Sequence, residues 1–298
     1  MSEKIIQRLC IIGVGLIGGS LGRALKKAGA VAEVVGVGRD VAHLEKAKAF
    51  GVIDDFETDI ALAVNGCDMV VLAVPLGAMQ SVFEQIAPVI TNNMVITDVG
   101  SAKASVIKAA NVAFKNVPET FVPGHPIAGT EKSGVEASFA ELYENRRVII
   151  TPLKTSSEAA TSKVRAMWQA CGAEVIETTV EHHDEVLAAT SHLPHMLAYS
   201  LVDTLAKMDS KNEIFEFAAG GFRDFTRIAS SDPDMWHDIC IANSDALVKM
   251  INKFSDDLQK LSKAIENSDS TYLKETFSRA KKARDEYCED KHLNDSLE

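Results

Sequence analysis

Apolar residues in the first 178 positions form short runs that alternate with longer segments of helical periodicity. The runs are rich in β-branched residues and contain few polar positions, which is typical of parallel strands buried on both faces. This succession predicts an α/β domain with a doubly wound parallel sheet. The predicted strands are Leu9 to Ile12, Val34 to Val37, Met69 to Val74, Met94 to Thr97, Arg147 to Thr151 and Glu174 to Ile176.

Strand patterns stop near residue 180, and the remaining chain carries apolar residues at helical spacing. We therefore predict an α/β domain at 1–178 and an all-helical domain at 179–298. A helical domain with this much apolar surface often packs against its own copy, so we expect a homodimer. The clearest apolar series is Leu247, Met250, Ile251, Phe254, Leu258 and Leu261.

A GxGxxG sequence follows the first predicted strand and opens a helical segment. Gly13 permits a tight turn, Gly15 lets a pyrophosphate approach the backbone, and Gly18 allows the helix and strand to pack closely. The amides of Leu16 and Ile17 would face the phosphates from the helix N-terminus. The motif alone is weak evidence, but its position between a strand and a helix predicts a Rossmann-type domain that binds NAD or NADP.

The ends of the next strands bear on the choice of cofactor. An acidic residue that binds the ribose 2′-hydroxyl is expected near position 38, where the chain has Gly38, then Arg39 and Asp40. Arg39 could pair with the 2′-phosphate of NADP, whereas Asp40 keeps NAD possible. Val74 and Pro75, at another strand end, are predicted to border the same crevice.

Composition and charge narrow the function classes. The formal net charge of −11 disfavours nucleic acid and anionic membranes as partners. The five cysteines are scattered without CxxC spacing, which gives no indication of a disulfide framework or zinc site. No apolar stretch reaches 18 residues and no signal peptide is recognisable, so we expect a cytoplasmic protein. The length also suggests a monofunctional chain without a further catalytic or regulatory domain.

A histidine stands between glycine and proline in the segment GHPIAGTEKSG at 124–134. A titratable ring on such irregular backbone is often functional, although a lone histidine is more often structural. This segment, ATSHLPH at 189–195 and GGFRDFTRIA at 220–229 together resemble the prephenate/arogenate (cyclohexadienyl) dehydrogenase family over nearly the whole chain. The resemblance implies oxidative decarboxylation of prephenate to 4-hydroxyphenylpyruvate, with hydride transfer to NAD(P)+, in tyrosine biosynthesis. Arogenate or broad cyclohexadienyl specificity is the nearest alternative.

The resemblance also assigns residues to roles. His125 corresponds to the histidine that accepts the proton of the substrate C4 hydroxyl, and Ser101 to the serine that orients it. Arg227 corresponds to the arginine that binds a substrate carboxylate, with Arg223 as a second cation; an acidic protein needs such a local clamp for an anion. Three further residues would line the pocket and an acidic one would lie at its mouth: His192, His195, Trp236 and Glu131.

Simpler explanations exist for several of these residues. Ser101 could be a helix N-cap, and Arg223 and Arg227 could be a surface pair bridged by Asp224. His192 and His195 could share a metal, but no third ligand is near, so we predict no metal site. A solvated helix start is the interpretation for four neighbouring residues: Glu181, His182, His183 and Asp184.

Two other functions remain open for a chain with this predicted domain organisation. A β-hydroxyacid dehydrogenase or imine reductase would lack the GHPIAGTE segment and would use a lysine or another acid from the helical domain. A non-catalytic dinucleotide-sensing protein would keep the glycines but would need neither His125 nor an arginine clamp.

Overall fold

The computed structural model describes residues 4–130 and 132–289. Its main sheet has five parallel strands in the order β3-β2-β1-β4-β5, so the chain winds outward from β1 in both directions. Ligands of such sheets bind where this order reverses, beyond the carboxyl ends of the strands. The strands are β1 (Ile6–Ile12), β2 (Val31–Val37), β3 (Asp55–Glu57), β4 (Met69–Leu72) and β5 (Val95–Asp98).

Six helices belong to this α/β part of the chain and cover the sheets. They are α1 (Leu16–Lys27), α2 (Val41–Ala49), α3 (Ile60–Val64), α4 (Met79–Ile86), α5 (Lys103–Phe114) and α6 (Glu158–Ala170).

The two faces of the main sheet lie in separate apolar cores. Successive side chains of β1 alternate between them: Leu9 and Ile11 belong to one core, and Cys10 and Ile12 to the other. All four of these residues are at most 2% exposed. A strand covered on both sides leaves no position for a polar residue, which explains the uninterrupted apolar run in the sequence.

A second sheet has three strands, β6 (Gly124–Pro126), β7 (Arg147–Ile150) and β8 (Glu174–Glu177), in that order. β7 and β8 pair in parallel, but β6 runs antiparallel to β7, with His125 opposite Ile149. An isolated parallel bridge joins Ile96 of β5 to Phe121, just before β6. The second sheet thus presents β6 beside the end of the main sheet.

All six predicted strands exist, with ends shifted by a few residues. The prediction that each is buried on both faces is wrong for β8, which is an exposed edge strand. β3 and β6 were not predicted, because strands of three residues leave too short a pattern to recognise.

From residue 180 through residue 289, where the described part of the chain ends, every regular element is helical, as predicted. A π-helical turn, Ala188–His192, joins α7 to α8, and a short 3-10 turn, Arg227–Ser230, follows α10. The helices are α7 (Val180–Leu187), α8 (Leu193–Ala206), α9 (Lys211–Glu216), α10 (Gly220–Thr226), α11 (Pro233–Ala242), α12 (Ser244–Glu266) and α13 (Ser270–Glu289).

Packing divides the chain into one unit that ends at Ser244 and a second that starts at Asp245. The first unit contains both sheets and α1 to α11, and the second contains nearly all of α12 and the whole of α13. The domain boundary near residue 178 stays a prediction. Within the described residues, none of the helices has the length and apolar character needed to cross a membrane.

Candidate active site

The loop between β1 and α1 can accept a dinucleotide. Gly13 has a φ of 98°, and a Cβ atom there would lie 2.3 Å from the Ala73 carbonyl oxygen. A Cβ atom on Gly18 would lie 2.2 Å from the Gly13 carbonyl oxygen, so α1 packs this closely only on glycine. A Cβ atom on Gly15 would meet no atom within 4 Å, which leaves space for a phosphate beside the backbone.

The first turn of α1 supplies the hydrogen-bond donors. Gly15 is the N-cap and offers no side-chain cap to the turn, so the amides of Leu16 and Ile17 can serve an anion. Val74 comes after β4, and its Cγ1 would lie 3.1 Å from a Cβ atom on Gly13, so it borders this loop. Pro75 is the next residue, and its contact with cofactor stays a prediction. These residues fit the pyrophosphate of NAD or NADP.

Arg39 and Asp40, which follow β2, differ in the hydrogen bonds that they make within the protein. Asp40 Oδ1 accepts hydrogen bonds from the amides of Ala42 (3.0 Å) and His43 (3.3 Å) and so caps α2. Arg39 is exposed, with no hydrogen bond or ion pair to the described residues. His43 Nε2 donates to the Val14 carbonyl at 2.7 Å, which ties α2 to the glycine loop. Arg39 can therefore reach a 2′-phosphate, while only one oxygen of Asp40 remains for a ribose hydroxyl.

Asp98, the last residue of β5, fixes the start of β6. Its Oδ1 accepts from the Gly124 amide at 3.2 Å, and its Oδ2 accepts from the Gly100 amide at 2.8 Å and from the Lys103 ammonium group. Lys103 Nζ also donates to the Gly124 carbonyl at 2.5 Å. Both members of this ion pair are fully buried; burial lowers the pKa of Lys103 more than the charge of Asp98 raises it. Gly124 is thus held through both of its backbone polar groups.

His125 follows Gly124 and is only 8% exposed. Asp98 ends a strand parallel to β1, so the imidazole lies at the same edge of the main sheet as the glycine loop. Burial lowers the pKa of His125 well below its ordinary value, and a positive charge on His183, on Lys103 or on His192 lowers it further; of these three groups, Lys103 is the cation in the resting site. The ring is therefore neutral near pH 7 and can accept a proton.

A second histidine and a carboxylate stand behind His125. His125 Nδ1 lies 2.9 Å from His183 Nε2, and His183 Nδ1 lies 2.8 Å from Asp184 Oδ1. The Asp184 carboxylate also accepts from the amides of Lys103 (2.8 Å) and Ala104 (2.9 Å). The N-cap of α5 is Ala102, which cannot cap the helix with its side chain. Asp184 supplies that cap from a distant part of the sequence.

The prediction of a solvated helix start at 181–184 is wrong for two of its four residues. His183 is 1% exposed and Asp184 is 5% exposed, whereas Glu181 and His182 are exposed. The reason is tertiary: α5 packs on this face of α7, and His125 of β6 contacts it as well. Local polarity in the sequence cannot reveal such a partner.

The π-helical turn and the first turn of α8 place two more histidines beside Trp236. The ring of His195 stacks on Trp236 with centroids 3.7 Å apart, and His192 meets the same indole edge-on at 6.0 Å. Pro194 has no amide to continue regular α-helical bonding, which accounts for the wider turn before it. The structure therefore brings the three rings together; their role in binding substrate stays a prediction.

His192 connects this group to the buried pair behind His125. Asn243 Nδ2 donates both to the Asp184 backbone carbonyl (2.9 Å) and to His192 Nδ1 (3.1 Å). Burial lowers the pKa of His192 to about 4, against the opposing charge of Asp184. His192 Nε2 and Trp236 Nε1 are buried without a hydrogen-bond partner among the described residues. Two such donors on rings that contact each other are suited to ligand oxygens.

Ser101 does not cap α5 in the structure. It lies half-buried after β5, and α5 begins at Lys103 with Ala102 as N-cap. Within the described part of the chain Ser101 makes no hydrogen bond to His125, whose Nδ1 contacts His183. The catalytic role of Ser101, orienting the histidine, stays a prediction.

The arginines lie on exposed surface around the end of α10. Arg223 belongs to that helix, while Arg227 begins the 3-10 turn, so the four-residue interval between the two arginines crosses the end of the helix. Arg223 forms no ion pair with Asp224 among residues 4–130 and 132–289. Glu131 lies outside the described residues. The clamp stays a prediction.

Several residues of this site were not found from sequence. Asp98 and Lys103 are a strand end and a helix start, where charged residues are common in solvent. Asn243 follows α11 without a motif. One signal was available: Ala102 is a poor N-cap for α5, so a carboxylate from elsewhere could have been sought.

The chain matches two family models. Residues 21–177 match the nucleotide-binding domain of prephenate dehydrogenase, and residues 179–279 match the prephenate dehydrogenase dimerization domain.

Individual proteins agree with these matches. A cyclohexadienyl dehydrogenase from Zymomonas mobilis is 39% identical over 94% of this chain and 96% of its own length. A prephenate dehydrogenase from Bacillus subtilis is 34% identical over 93% of this chain and 75% of its own length. The crystal structure of A. aeolicus prephenate dehydrogenase with hydroxyphenyl propionate and NAD+ has a TM-score of 0.90 and 35% identity, and covers 96% of this chain and 100% of that one.

Proposed function

Because the chain belongs to the prephenate dehydrogenase family and is an NAD(P)-dependent oxidoreductase, we propose that it oxidatively decarboxylates prephenate with His125 as the base. The observation that carries this proposal is a buried, neutral imidazole beside the end of β5, at the sheet edge that holds the glycine loop. Arogenate, which differs in its side chain, is the alternative substrate.

The chemistry requires one proton acceptor near the substrate C4 hydroxyl. When bound, the nicotinamide accepts the hydride from C4. His125 takes the hydroxyl proton at the same time, through the ring nitrogen that is not bonded to His183. A neutral ring is necessary for this step, and the burial that lowers the pKa of His125 supplies it.

Decarboxylation then needs little help from acids or bases. Once C4 is a carbonyl, the ring carboxylate can leave as CO2 because its bonding electrons flow into the ring and toward the C4 oxygen. Aromatisation drives this step, so the main contribution of the protein is orientation. The C4 oxygen finishes as a phenolate that recovers the proton from His125.

Substrate binding is assigned to two groups of residues. Arg227 and Arg223 would bind carboxylates by charge-assisted hydrogen bonds. His192 and Trp236 would donate their buried N–H groups to substrate oxygens, and His195 would hold Trp236 by stacking. From the family resemblance, Ser101 is retained as the serine that orients His125 and Glu131 as an acidic residue at the pocket mouth.

The cofactor would lie along the glycine loop, with Gly13, Gly15 and Gly18 shaping the turn and α1 facing the phosphates. Arg39 is exposed and can pair with a 2′-phosphate, and Asp40 keeps one free oxygen for a 2′-hydroxyl. Both NAD and NADP therefore belong in the assay.

We also propose that the chain forms a homodimer through its C-terminal helices. α12 exposes four apolar side chains, the last three of them seven residues apart, and these residues lie in the segment that matches the dimerization-domain model. They are Val248, Ile251, Leu258 and Ile265. A cytoplasmic location stays a prediction.

The direct test follows absorbance at 340 nm after purified protein is mixed with prephenate or arogenate and with NAD or NADP. We expect reduced cofactor and 4-hydroxyphenylpyruvate in equal amounts with prephenate. Turnover with arogenate alone would replace the substrate assignment. No turnover with either substrate, despite measurable dinucleotide binding, would favour a dinucleotide-sensing protein.

A further inference from the structure

We propose that His183 and Asp184 form a proton-holding pair that fixes the tautomer of His125 and shares its proton during turnover. The inference rests on the proposed function, because it concerns the base of that reaction. Neither residue would touch substrate, so both are positioning residues. The proposal depends on the direction of the hydrogen bonds that link Asp184 to His183 and His183 to His125.

The Asp184 carboxylate accepts hydrogen bonds from two backbone amides, which fix it as an acceptor. The amides of Lys103 and Ala104 can only donate, and each donates to a different carboxylate oxygen, at 2.8 and 2.9 Å. Burial raises the pKa of Asp184, but hydrogen bonds from His183 and from these two amides lower it more, so the group is a carboxylate at neutral pH. The first turn of α5 also favours a negative charge at this point.

Because the Asp184 carboxylate can only accept, it sets the direction of the hydrogen bonds from His183 to Asp184 and from His125 to His183. Asp184 Oδ1 accepts from His183 Nδ1, so Nδ1 of His183 carries the proton. Burial lowers the pKa of His183, so its ring is neutral and its Nε2 has a lone pair. That lone pair accepts from His125 Nδ1 at 2.9 Å. In the neutral His125 ring, Nε2 is then unprotonated and is the basic nitrogen.

The same connections provide a place for the proton. As the substrate hydroxyl proton bonds to His125 Nε2, the proton on His125 Nδ1 can move to His183 Nε2. His183 then becomes an imidazolium next to the Asp184 carboxylate, and His125 is neutral again. When CO2 has left and the C4 oxygen is a phenolate, the two transfers reverse. No net proton is gained or lost, and the hydride remains with the cofactor.

Other charged groups face the pair from three elements. Lys103 on α5 faces both histidines and its ammonium group opposes a positive charge on either ring. The Asp98 carboxylate at the end of β5 favours the charged form of His183. His192 faces His125 from the π-helical turn, and a positive charge there would oppose protonation of His125. Asp184 is thus the negative group in direct contact with His183, the ring that must carry the charge.

Nuclear magnetic resonance of the wild-type protein tests the hydrogen-bond direction without any substitution. Two-dimensional 15N–1H spectra of the histidine rings should show both His125 and His183 with the proton on Nδ1 at neutral pH. Neutral imidazoles in water prefer the proton on Nε2, so this result would not arise by default. A proton on Nε2 of His125, or on Nε2 of His183 in its neutral form, would overturn the proposal.

The kinetic test uses His183→Gln. The glutamine carbonyl can still accept from His125 Nδ1 but cannot take a proton or relay the charge of Asp184. We expect kcat to fall by roughly 10²-fold, the scale of one positioned proton transfer, with little change in KM for prephenate. The acid limb of kcat/KM should move to lower pH, because a proton on His125 can no longer be shared with a ring that contacts the Asp184 carboxylate. His182→Gln, one residue away but exposed, is the matched control and should behave as wild type.

The outcomes separate the alternatives. A wild-type kcat and pH profile in His183→Gln would overturn the proposal. A shift of the acid limb to higher pH would also overturn it, because it would mean that His183 carries a positive charge that opposes protonation of His125. A loss of kcat with an unmoved pH profile would indicate support of the fold alone and would also overturn it. If His183→Gln does not fold, or if the wild type does not turn over prephenate, the ring spectra still decide between the two tautomers.

Discussion

Three histidines of the site are held by the protein through the same ring nitrogen. His125 uses Nδ1 toward His183, His192 uses Nδ1 toward Asn243, and His195 uses Nδ1 toward the Ser191 carbonyl at 2.8 Å. In the described part of the chain, Nε2 of each ring has no protein partner. The arrangement leaves three Nε2 atoms for a ligand, one of them the proposed base.

Trp236 offers a test of the unpartnered donors. Trp236→Phe keeps an aromatic ring to stack on His195 but removes the buried N–H group. If Nε1 donates to a charged substrate oxygen, KM for prephenate should rise about 10-fold or more, as expected for a lost hydrogen bond of about 1.5–3 kcal/mol. Steady-state kinetics at saturating cofactor measure this, with Tyr287→Phe, which removes the hydroxyl group of an exposed residue of α13, as a control. An unchanged KM would exclude Nε1 from substrate binding.

Arg227 tests the proposed clamp. Arg227→Ala should raise KM for prephenate by about 10- to 100-fold, because a charge-assisted hydrogen bond to a carboxylate is lost. The dissociation constant of the dinucleotide, measured by fluorescence titration, should stay the same. Lys211→Ala removes an exposed cation of α9 and should leave both constants unchanged. A KM for the arginine variant equal to that of wild type would count against the clamp.

At the scale of elements, the junction of β5, α5 and β6 determines where the base lies. Lys103→Met removes one charge of a fully buried ion pair and leaves Asp98 without compensation. We expect the free energy of unfolding to fall by about 3–5 kcal/mol. Lys108→Met, on the exposed face of the same helix, should change it by less than about 0.5 kcal/mol. Urea unfolding measures both; equal stability of the two variants would show that the pair is not structural.

Elements were predicted from sequence where burial leaves a long pattern. The continuous apolar runs of β1, β2 and β4 and the glycine loop after β1 were recognisable, since both follow from local backbone requirements. β6 was not, because three residues carry no periodicity, and its pairing with β7 is non-local. The π-helical turn also escaped prediction, although Pro194 marks the place where regular bonding fails.

The site was predictable only in part for a related reason. His125 stands out because glycine and proline flank it, and family resemblance adds His192, His195 and Trp236. His183 and Asp184 resemble solvated residues until α5 covers them. Residues that act through another residue have no sequence signature of their own, since their effect depends on a contact formed by folding.

At the scale of the whole molecule, the buried histidines should make stability depend on pH. Burial lowers the pKa of His192 to about 4 from an ordinary 6.5, and the pKa values of His125, His183 and His195 are also lowered. The unfolded chain then binds more protons than the folded one below pH 6.5. This contribution is therefore complete above pH 6.5 and is lost as the pH falls toward 4.

For His192 alone, the loss by about pH 5 should be on the order of 2 kcal/mol. Urea unfolding between about pH 7 and pH 5, above the range in which most carboxylates titrate, measures it. His192→Gln should show a shallower decrease than wild type, and the exposed His182→Gln should show the wild-type slope. Equal slopes for all three proteins would contradict the buried, neutral state of His192.

The most direct measurement is the single-turnover rate of hydride transfer, followed at 340 nm, in His125→Asn with saturating prephenate and cofactor. Asparagine can still contact His183 but cannot accept a proton at the position of Nε2. We predict a rate about 10²- to 10⁴-fold below wild type, with prephenate and dinucleotide affinities nearly unchanged. Hydride transfer at the wild-type rate in this variant would contradict the assignment of His125 as the base.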